Sequence, residues 1–499
     1  MSLAIDVETG TDEVRTDRHI VPVLVAIAIF AGLSLWAAIK SDGFLEADSC
    51  THYIYARYAF AQPHLFVNIW GRPVCTGIYS IGAHFAGRMG VRVTSLIIAI
   101  AIALIVMQIA RGMQWGATAP TLALIFTLAQ PLVFLHSFSE LTELPFALLV
   151  ALGFWAYQRQ RWLWFALAIG MTPLSRPEGF GLLALAAVAL LLHRRWSWLA
   201  LLALPLVAWD YCGWVEYGRV GPWWNWLRAN WPYEQKSLYT PGPLYHFLLL
   251  MPVVTSPLIF PAMVVGAWRC LTPDLRKKRQ DAADPEHLQR CNAIIALLPL
   301  SILVGHSLLY WLGKMASNGE LRYLLVVAPF WALLAARGWS WVFQETRWQH
   351  AVAWAAAAAL APVMIHLTYP VLPLHQQPDW VEAQQIAQWY QDSSHDHHPY
   401  LATAHPGILY HLDLSPSDGS RVREWRKDVL DAVPPGTTVV WDPIYGVFNS
   451  DKSRSISAEE LLNAGWKEVQ MPWGGSAAAG KWRVFQSQPI TAKSKSPLP

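Results

Sequence analysis

IVPVLVAIAIFAGLSLWAAI (Ile20–Ile39) is followed almost at once by LEADSCTHY (Leu45–Tyr53). At about 1.5 Å of rise per residue, the first stretch is long enough to cross a bilayer as a helix. The polar, mixed-charge residues before it lack the basic n-region and small-residue cleavage site of a signal peptide, so it reads as a retained transmembrane helix. The second stretch then begins where that helix leaves the bilayer. Glu46 and Asp48 stand there one residue apart, with Tyr53 and Arg57 close behind. A carboxylate pair at a membrane surface is a place for proton transfer or for holding a divalent cation.

Composition agrees with a membrane setting. Of 499 residues, 54% are hydrophobic and only 14% charged, where soluble domains carry nearer a quarter charged residues. Mean hydropathy is +0.28. The 28 tryptophans suit membrane–water interfaces, where an indole is half in lipid and half wet. A net charge of +3 is too small to point to nucleic acid. Five cysteines without CxxC spacing give neither a disulfide framework nor a zinc signature. Cys50 and Cys75 share one loop, and unpaired thiols fit them better than a bridge.

Eleven apolar runs recur: Ile20–Ile39, Val93–Ala110, Ala117–Leu135, Leu141–Tyr157, Trp162–Leu174, Phe180–Leu192, Trp198–Cys212, Leu244–Trp268, Cys291–Trp311, Tyr323–Ala336 and Ala351–Leu367. They predict a polytopic α-helical membrane protein with about 11 transmembrane helices. Basic residues fall in alternate loops: Arg111, then Arg159 and Arg161, then Arg194 and Arg195, then a cluster from Arg269 to Arg290, then Arg337 and Arg347. The positive-inside rule then places the N-terminal tail, 1–19, in the cytoplasm. The transmembrane domain spans 20–369, with a long first outer loop at 40–92. That loop contains a helix capped by Asp48 or Ser49 and running to about Ala61, followed by an interfacial helix at Val74–Met89. From 370 to 490 polar residues, glycine and proline return. A helix at Asp379–Gln391, strands at Thr437–Trp441 and Trp482–Gln486 and a helix at Ala458–Ala464 predict a small extracytoplasmic α/β domain. The tail 491–499 reads as disordered.

The charged residues that break the apolar pattern all fall on the predicted outer side. Glu140 and Glu143 flank the start of one run, and Arg176 and Glu178 sit between two others. A carboxylate at membrane depth costs roughly 2.5–3.5 kcal/mol and needs a partner. An ion pair between Glu143 and Arg176 and a direct substrate role are both open for these residues. Arg57, Arg72 and Arg322 are candidates for phosphate, because a guanidinium fork matches phosphate oxygens; snorkelling to the interface is the plain alternative. His246 follows a tryptophan-rich loop, Gly213–Pro243, whose rings offer faces to sugars and lipid chains alike. Neither GxGxxG nor a P-loop occurs, which argues against a cytosolic nucleotide donor.

The order of these motifs resembles the GT-C superfamily of integral-membrane glycosyltransferases, nearest its protein mannosyltransferase and aminoarabinose transferase branch. The likeness rests on the acidic first loop, the glutamate-bearing second loop, LSRPEG after two further spans, ELRYLLVVAPF near the last spans and the outer α/β domain. It implies an inverting transfer of sugar from a polyprenyl-phosphate donor to an acceptor hydroxyl of the cell envelope, at the outer face of the plasma membrane. It implies Asp48 as general base, Glu46 as its helper or a metal ligand, and carrier-phosphate contacts from Arg57, Tyr53 and Arg322. The branch often carries adjacent Asp-Glu in the first loop, whereas Ser49 follows Asp48 here. The competing reading is a transporter or flippase for a lipid-linked or sugar substrate; a non-catalytic scaffold explains the charged outer loops less well. Transporters commonly show two repeated halves, and no repeat is visible.

Overall fold

The computed structural model describes residues 12–232, 239–272, 284–343, 346–368, 371–393, 400–447, 453–471 and 482–487. The tail expected at 491–499 and the basic residues Arg276, Lys277, Lys278 and Arg279 lie outside them. The chain forms two compact units. One contains the residues up to Ser41 and Pro63–Pro373; the other contains Asp42–Gln62 and the chain from Leu374 onward.

The first unit is helical. After α1 (Asp12–Lys40), the chain passes through α2 (Ala47–Tyr58), which belongs to the second unit, and returns in α3 (Pro73–Gly112). The expected interfacial helix and the next span are the two limbs of α3, separated by a kink at Ala86 and Gly87. Gly87 takes φ +57°, a left-handed value that glycine adopts without steric cost. Then come α4 (Ala119–Leu128), α5 (Pro131–His136), α6 (Glu143–Gln158), α7 (Trp162–Gly170), α8 (Gly179–Leu192) and α9 (Trp198–Glu216). A short α10 (Trp226–Ala229) leads to α11 (His246–Thr255), α12 (Phe260–Leu271), α13 (Pro285–Trp311), α14 (Ala328–Val342) and α15 (Thr346–Thr368). Prolines open several of these helices, at positions where the missing N–H costs nothing.

Among the described residues, six helical stretches are long and apolar enough to cross a membrane, or up to seven if α11 and α12, bent by 109°, count as one span. The expectation of about 11 exceeds this. The remaining apolar runs fall on α4, α6, Trp162–Leu174 and α8, helices of 10–17 residues, short of the ~20 that a bilayer requires. The run Leu244–Trp268, expected as one span, breaks at Ser256. That residue takes φ +81° just before Pro257, where the proline ring disfavours helical backbone. Leu321–Val342 forms the centre of the unit, with 83% of its apolar window buried, against 17% for Trp198–Glu216 at the periphery.

The second unit is built on a five-stranded sheet in the order β2-β1-β3-β5-β4. Its elements are α16 (Pro378–Ser393), β1 (Leu401–Thr403), α17 (Pro406–His411), β2 (Val422–Arg423), α18 (Lys427–Leu430), β3 (Thr438–Trp441), α19 (Ala458–Asn463), β4 (Lys467–Val469) and β5 (Arg483–Gln486). β1 runs parallel to β2 and β3, while β5 pairs antiparallel with β3 and β4. Val439, Trp441, Trp466 and Phe485 fill one core beneath the sheet. A capping box between Ser457 and Glu460 starts α19.

The stretch 42–62 packs with this sheet domain through aromatic contacts that spacing alone does not reveal. Phe44 lies 5.4 Å from the Trp380 ring and 5.0 Å from that of Tyr410, and Tyr53 lies 5.8 Å from Tyr410. The Tyr58 hydroxyl donates to Asp413 at 2.7 Å. The helix in this stretch is capped at Glu46, two residues before Asp48 and three before Ser49, and ends at Tyr58, not near Ala61.

Candidate active site

In the second unit, Glu46 holds the N-cap position of α2 in extended backbone, without a capping bond from its side chain. Asp48 lies in the helix's first turn, so it is not the cap that the sequence predicted. A carboxylate there faces the unpaired N–H groups and positive dipole end of the helix, a favourable place for negative charge. Glu46 and Ala47 line a pocket together with Phe44, Gln376, Asp379, Trp380 and Tyr445, among others. Tyr53, by contrast, is buried against Phe44 and Tyr410. Arg57 is half-buried in the last turn of α2.

Behind this pocket lies His405, whose Nδ1 accepts the Gly407 amide at 3.1 Å and whose Nε2 stands 3.7 Å from Asp379 Oδ2. Burial pushes the Asp379 carboxyl up, but the facing His405 ring and the Trp380 backbone amide outweigh it and hold the group below the ordinary aspartate value. Burial, helped by the Asp379 charge, raises Glu382. Burial likewise raises Asp442, against the pull of His405.

In the first unit the charged motifs of three loops converge. Arg176 Nη1 bonds Glu143 Oε1 at 2.5 Å and Thr142 Oγ1 at 3.1 Å, and its Nη2 bonds Glu178 Oε1 at 2.9 Å. Arg322 bonds Glu320 and approaches Glu143 Oε1 at 3.7 Å. His306 Nε2 stands 3.5 Å from Glu178, and its ring stacks on Tyr323 at 5.0 Å. Arg176 also faces the Tyr323 ring at 5.8 Å. Glu143 and Arg176 are thus paired in the structure. Three glutamates surround two guanidiniums, so an added phosphate would compete with carboxylates already in place. Glu143 is fully buried, and its Oε2 makes no hydrogen bond.

Glu140 belongs to a separate pair. Arg92 Nε bonds Glu140 Oε1 at 3.0 Å, and Arg92 Nη1 bonds the carbonyls of Ala38 and Ser41, both at 2.8 Å. Arg72 is buried at the start of α3, with φ +63° and its guanidinium 5.8 Å from the Trp231 ring. His246 Nε2 bonds the Gly319 carbonyl at 2.8 Å, tying α11 to the loop that carries Arg322. Sequence reasoning missed Arg92, His306, Asp379 and His405. A titratable residue inside the run Cys291–Trp311 was the available signal for His306, whereas nothing local marks the other three.

Among the described residues, no group of three or more His, Cys, Asp or Glu is placed to hold a metal ion. Glu46 and Asp48 offer two carboxylates at most, so a cation there would rely on water or substrate for most of its shell. No disulfide links the cysteines among the described residues.

These helices and the small mixed sheet make up a fold already known from solved structures. Two solved structures share it. The crystal structure of ArnT from Cupriavidus metallidurans bound to undecaprenyl phosphate matches with a TM-score of 0.61 at 14% identity, covering 92% of this chain and 97% of that one. ArnT in the apo state matches with a TM-score of 0.61 at 13% identity, over 93% and 97%. No family model and no curated protein matches the chain.

Proposed function

We propose that the protein is an inverting glycosyltransferase of the cell's inner membrane that moves a sugar from a polyprenyl-phosphate carrier to an acceptor hydroxyl on the outer face. The observation that carries this reading is the fold, shared over nearly the whole chain with a protein solved with undecaprenyl phosphate bound. The acidic start of α2 supplies the chemistry such a transfer requires. Asp48 takes the proton of the acceptor hydroxyl as its oxygen attacks the anomeric carbon, and the bond to the carrier phosphate breaks on the opposite face. The departing phosphate carries the developing charge, and cationic or hydroxyl donors stabilise it. Arg57, Arg72 and Arg322 are the candidates for that task, since a guanidinium fork matches phosphate oxygens. Tyr53 acts by packing, as its burial indicates. Glu46 shapes the acceptor's surroundings beside the base. Eleven crossings, counting the short apolar helices as tilted or partial spans, with a cytoplasmic N-terminus, match the alternation of basic loops.

The break at Ser256 favours the transporter reading, since transporters use interrupted helices. However, Thr255, Ser256 and Pro257 supply no ionisable group at the break, whereas the charged motifs gather at helix ends. The deciding experiment is mass spectrometry of lipid-linked sugars in a deletion strain. A polyprenyl-phosphate sugar should accumulate. An unchanged pool sinks the transferase reading.

A further inference from the structure

The pocket of the second unit has a lining whose chemistry restricts what it can hold. Aromatic faces come from Phe44, Trp380 and Tyr445, and carboxylates from Glu46 and Asp379. Gln376 and Gln377 add side-chain amides, and the Gln376 Oε1 acceptor is buried without a hydrogen-bond partner. No lysine or arginine is among the described residues that line it.

A second observation is independent of that acidic lining. His405 is 1% exposed, its Nε2 makes no hydrogen bond, and that nitrogen is turned toward Asp379 on the pocket wall at 3.7 Å. Glu382, 6% exposed, lies one turn along α16 from Asp379, and its Oε2 also lacks a partner. The Asp442 carboxylate accepts the Tyr445 amide at 2.6 Å and so fixes that wall, leaving Oδ2 unbonded. Buried acceptors left unsatisfied are costly, and a hydroxyl donating to Gln376 Oε1 recovers that cost; His405, which accepts the Gly407 amide at Nδ1, carries its hydrogen on Nε2 and presents a donor toward Asp379.

We propose that this pocket is the acceptor subsite and receives an uncharged, hydroxyl-rich group, a sugar ring of a glycan, rather than a phosphorylated one. The inference rests on the transferase reading, because Glu46 and Ala47 place the pocket beside the base. A sugar ring set against the half-buried Tyr445 presents its C–H face to that aromatic ring and its hydroxyls to Glu46, Asp379 and Gln376, which accept their protons. A phosphate would meet Glu46 and Asp379, with no lysine or arginine of the lining to offset them and with the lining's imidazole, His375, turned to Asp42 at 3.5 Å. An ammonium would suit the carboxylates, but the amide N–H groups of Gln376 and Gln377 would find no acceptor on it. A hydroxyl donates and accepts, and so satisfies both.

Saturation-transfer NMR on the purified full-length protein in detergent tests this. The probes are the methyl glycosides of glucose, galactose, mannose and N-acetylglucosamine, with glucose 6-phosphate and ethanolamine as contrasts. At least one neutral glycoside should saturate, and its signal should fall several-fold in Asp379→Asn and in Gln376→Ala, both melting within a few degrees of wild type. Saturation of only the phosphate or the amine, of none of the probes, or of a glycoside equally in both variants overturns the proposal. The lipid-linked pool of the deletion strain separates the two ideas. Accumulation there with no sugar binding removes the subsite and leaves the transferase, while an unchanged pool with pocket-dependent binding does the reverse.

Discussion

Asp442 accepts the amide hydrogens of Ile444 and Tyr445 at 3.0 and 2.6 Å, yet its other oxygen is buried and unbonded. Burial therefore raises its carboxyl above the ordinary aspartate value. Such a group contributes stability that is complete below the unfolded value and is lost as pH rises through the folded one. Asparagine keeps the amide acceptor and removes the buried charge. Asp442→Asn should consequently melt at or above wild type at pH 7, with the advantage shrinking toward pH 4; a lower melt at pH 7 would refute this. Asp379 has the opposite sign, because His405 holds it down. Its contribution is present above the ordinary aspartate value of about 3.9 and is lost as pH falls through its lower value in the fold. Asp379→Asn should therefore flatten the acid side of the melting profile below about pH 5. At the base itself, Asp48→Asn should lower transfer by about 10²–10⁴-fold while the protein still inserts and elutes as wild type. Full activity in that variant would remove Asp48 from the mechanism. Of these residues, only Asp48 was legible in the sequence. Asp379, His405 and Asp442 are far apart in the chain, and folding alone brings them together.

Among the elements, α12 and α14 approach more closely than side chains normally allow. A Cβ on Gly266 would lie 1.7 Å from the Leu334 carbonyl oxygen, and one on Gly338 would lie 1.9 Å from that of Ala262. Small residues permit this backbone contact in membrane helices. Gly338→Val should cost roughly 1–3 kcal/mol or more by overpacking, visible as loss of monodisperse protein on size-exclusion chromatography. An undiminished yield would mean that the helices part without penalty. The Glu143–Arg176 pair makes a sharper prediction. Removing one partner of a buried pair costs about 3–5 kcal/mol, because the other charge is stranded. Arg176→Met takes the shared guanidinium from both Glu143 and Glu178 and should be strongly destabilising, whereas Glu143→Gln leaves Arg176 on Glu178 and should cost less; equal losses of monodisperse protein in the two variants would refute this. Apolar periodicity located the helices well, because each run buries itself in lipid or protein whatever its neighbours do. It could not show that α3 is continuous through a kink, nor that the Leu244–Trp268 run turns through 109°. One positive φ in each place decides those features.

For the molecule as a whole, the order of motifs along the chain carried more information than any one of them. The helical class, the small α/β domain and the GT-C-like fold were readable from that order. The division into units was not: 42–62 joins the domain that begins more than 300 residues later, through aromatic contacts invisible to hydropathy. A chelator gives the test at this scale. With two carboxylates at the start of α2 and no third ligand gathered with them among the described residues, turnover should be unaffected by EDTA. Loss of turnover that magnesium or manganese restores would show that substrate completes a metal shell.

Arg92 also bears on how the chain is made. Its two carbonyl partners, Ala38 and Ser41, precede it in the chain, whereas Glu140 follows 48 residues later. During synthesis the guanidinium can settle against the end of α1 as soon as the second hydrophobic helix is delivered to the bilayer. The carboxylate then arrives to a waiting cation. Two carbonyls can thus meet the Nη1 hydrogens early, while Nε and the charge itself await Glu140.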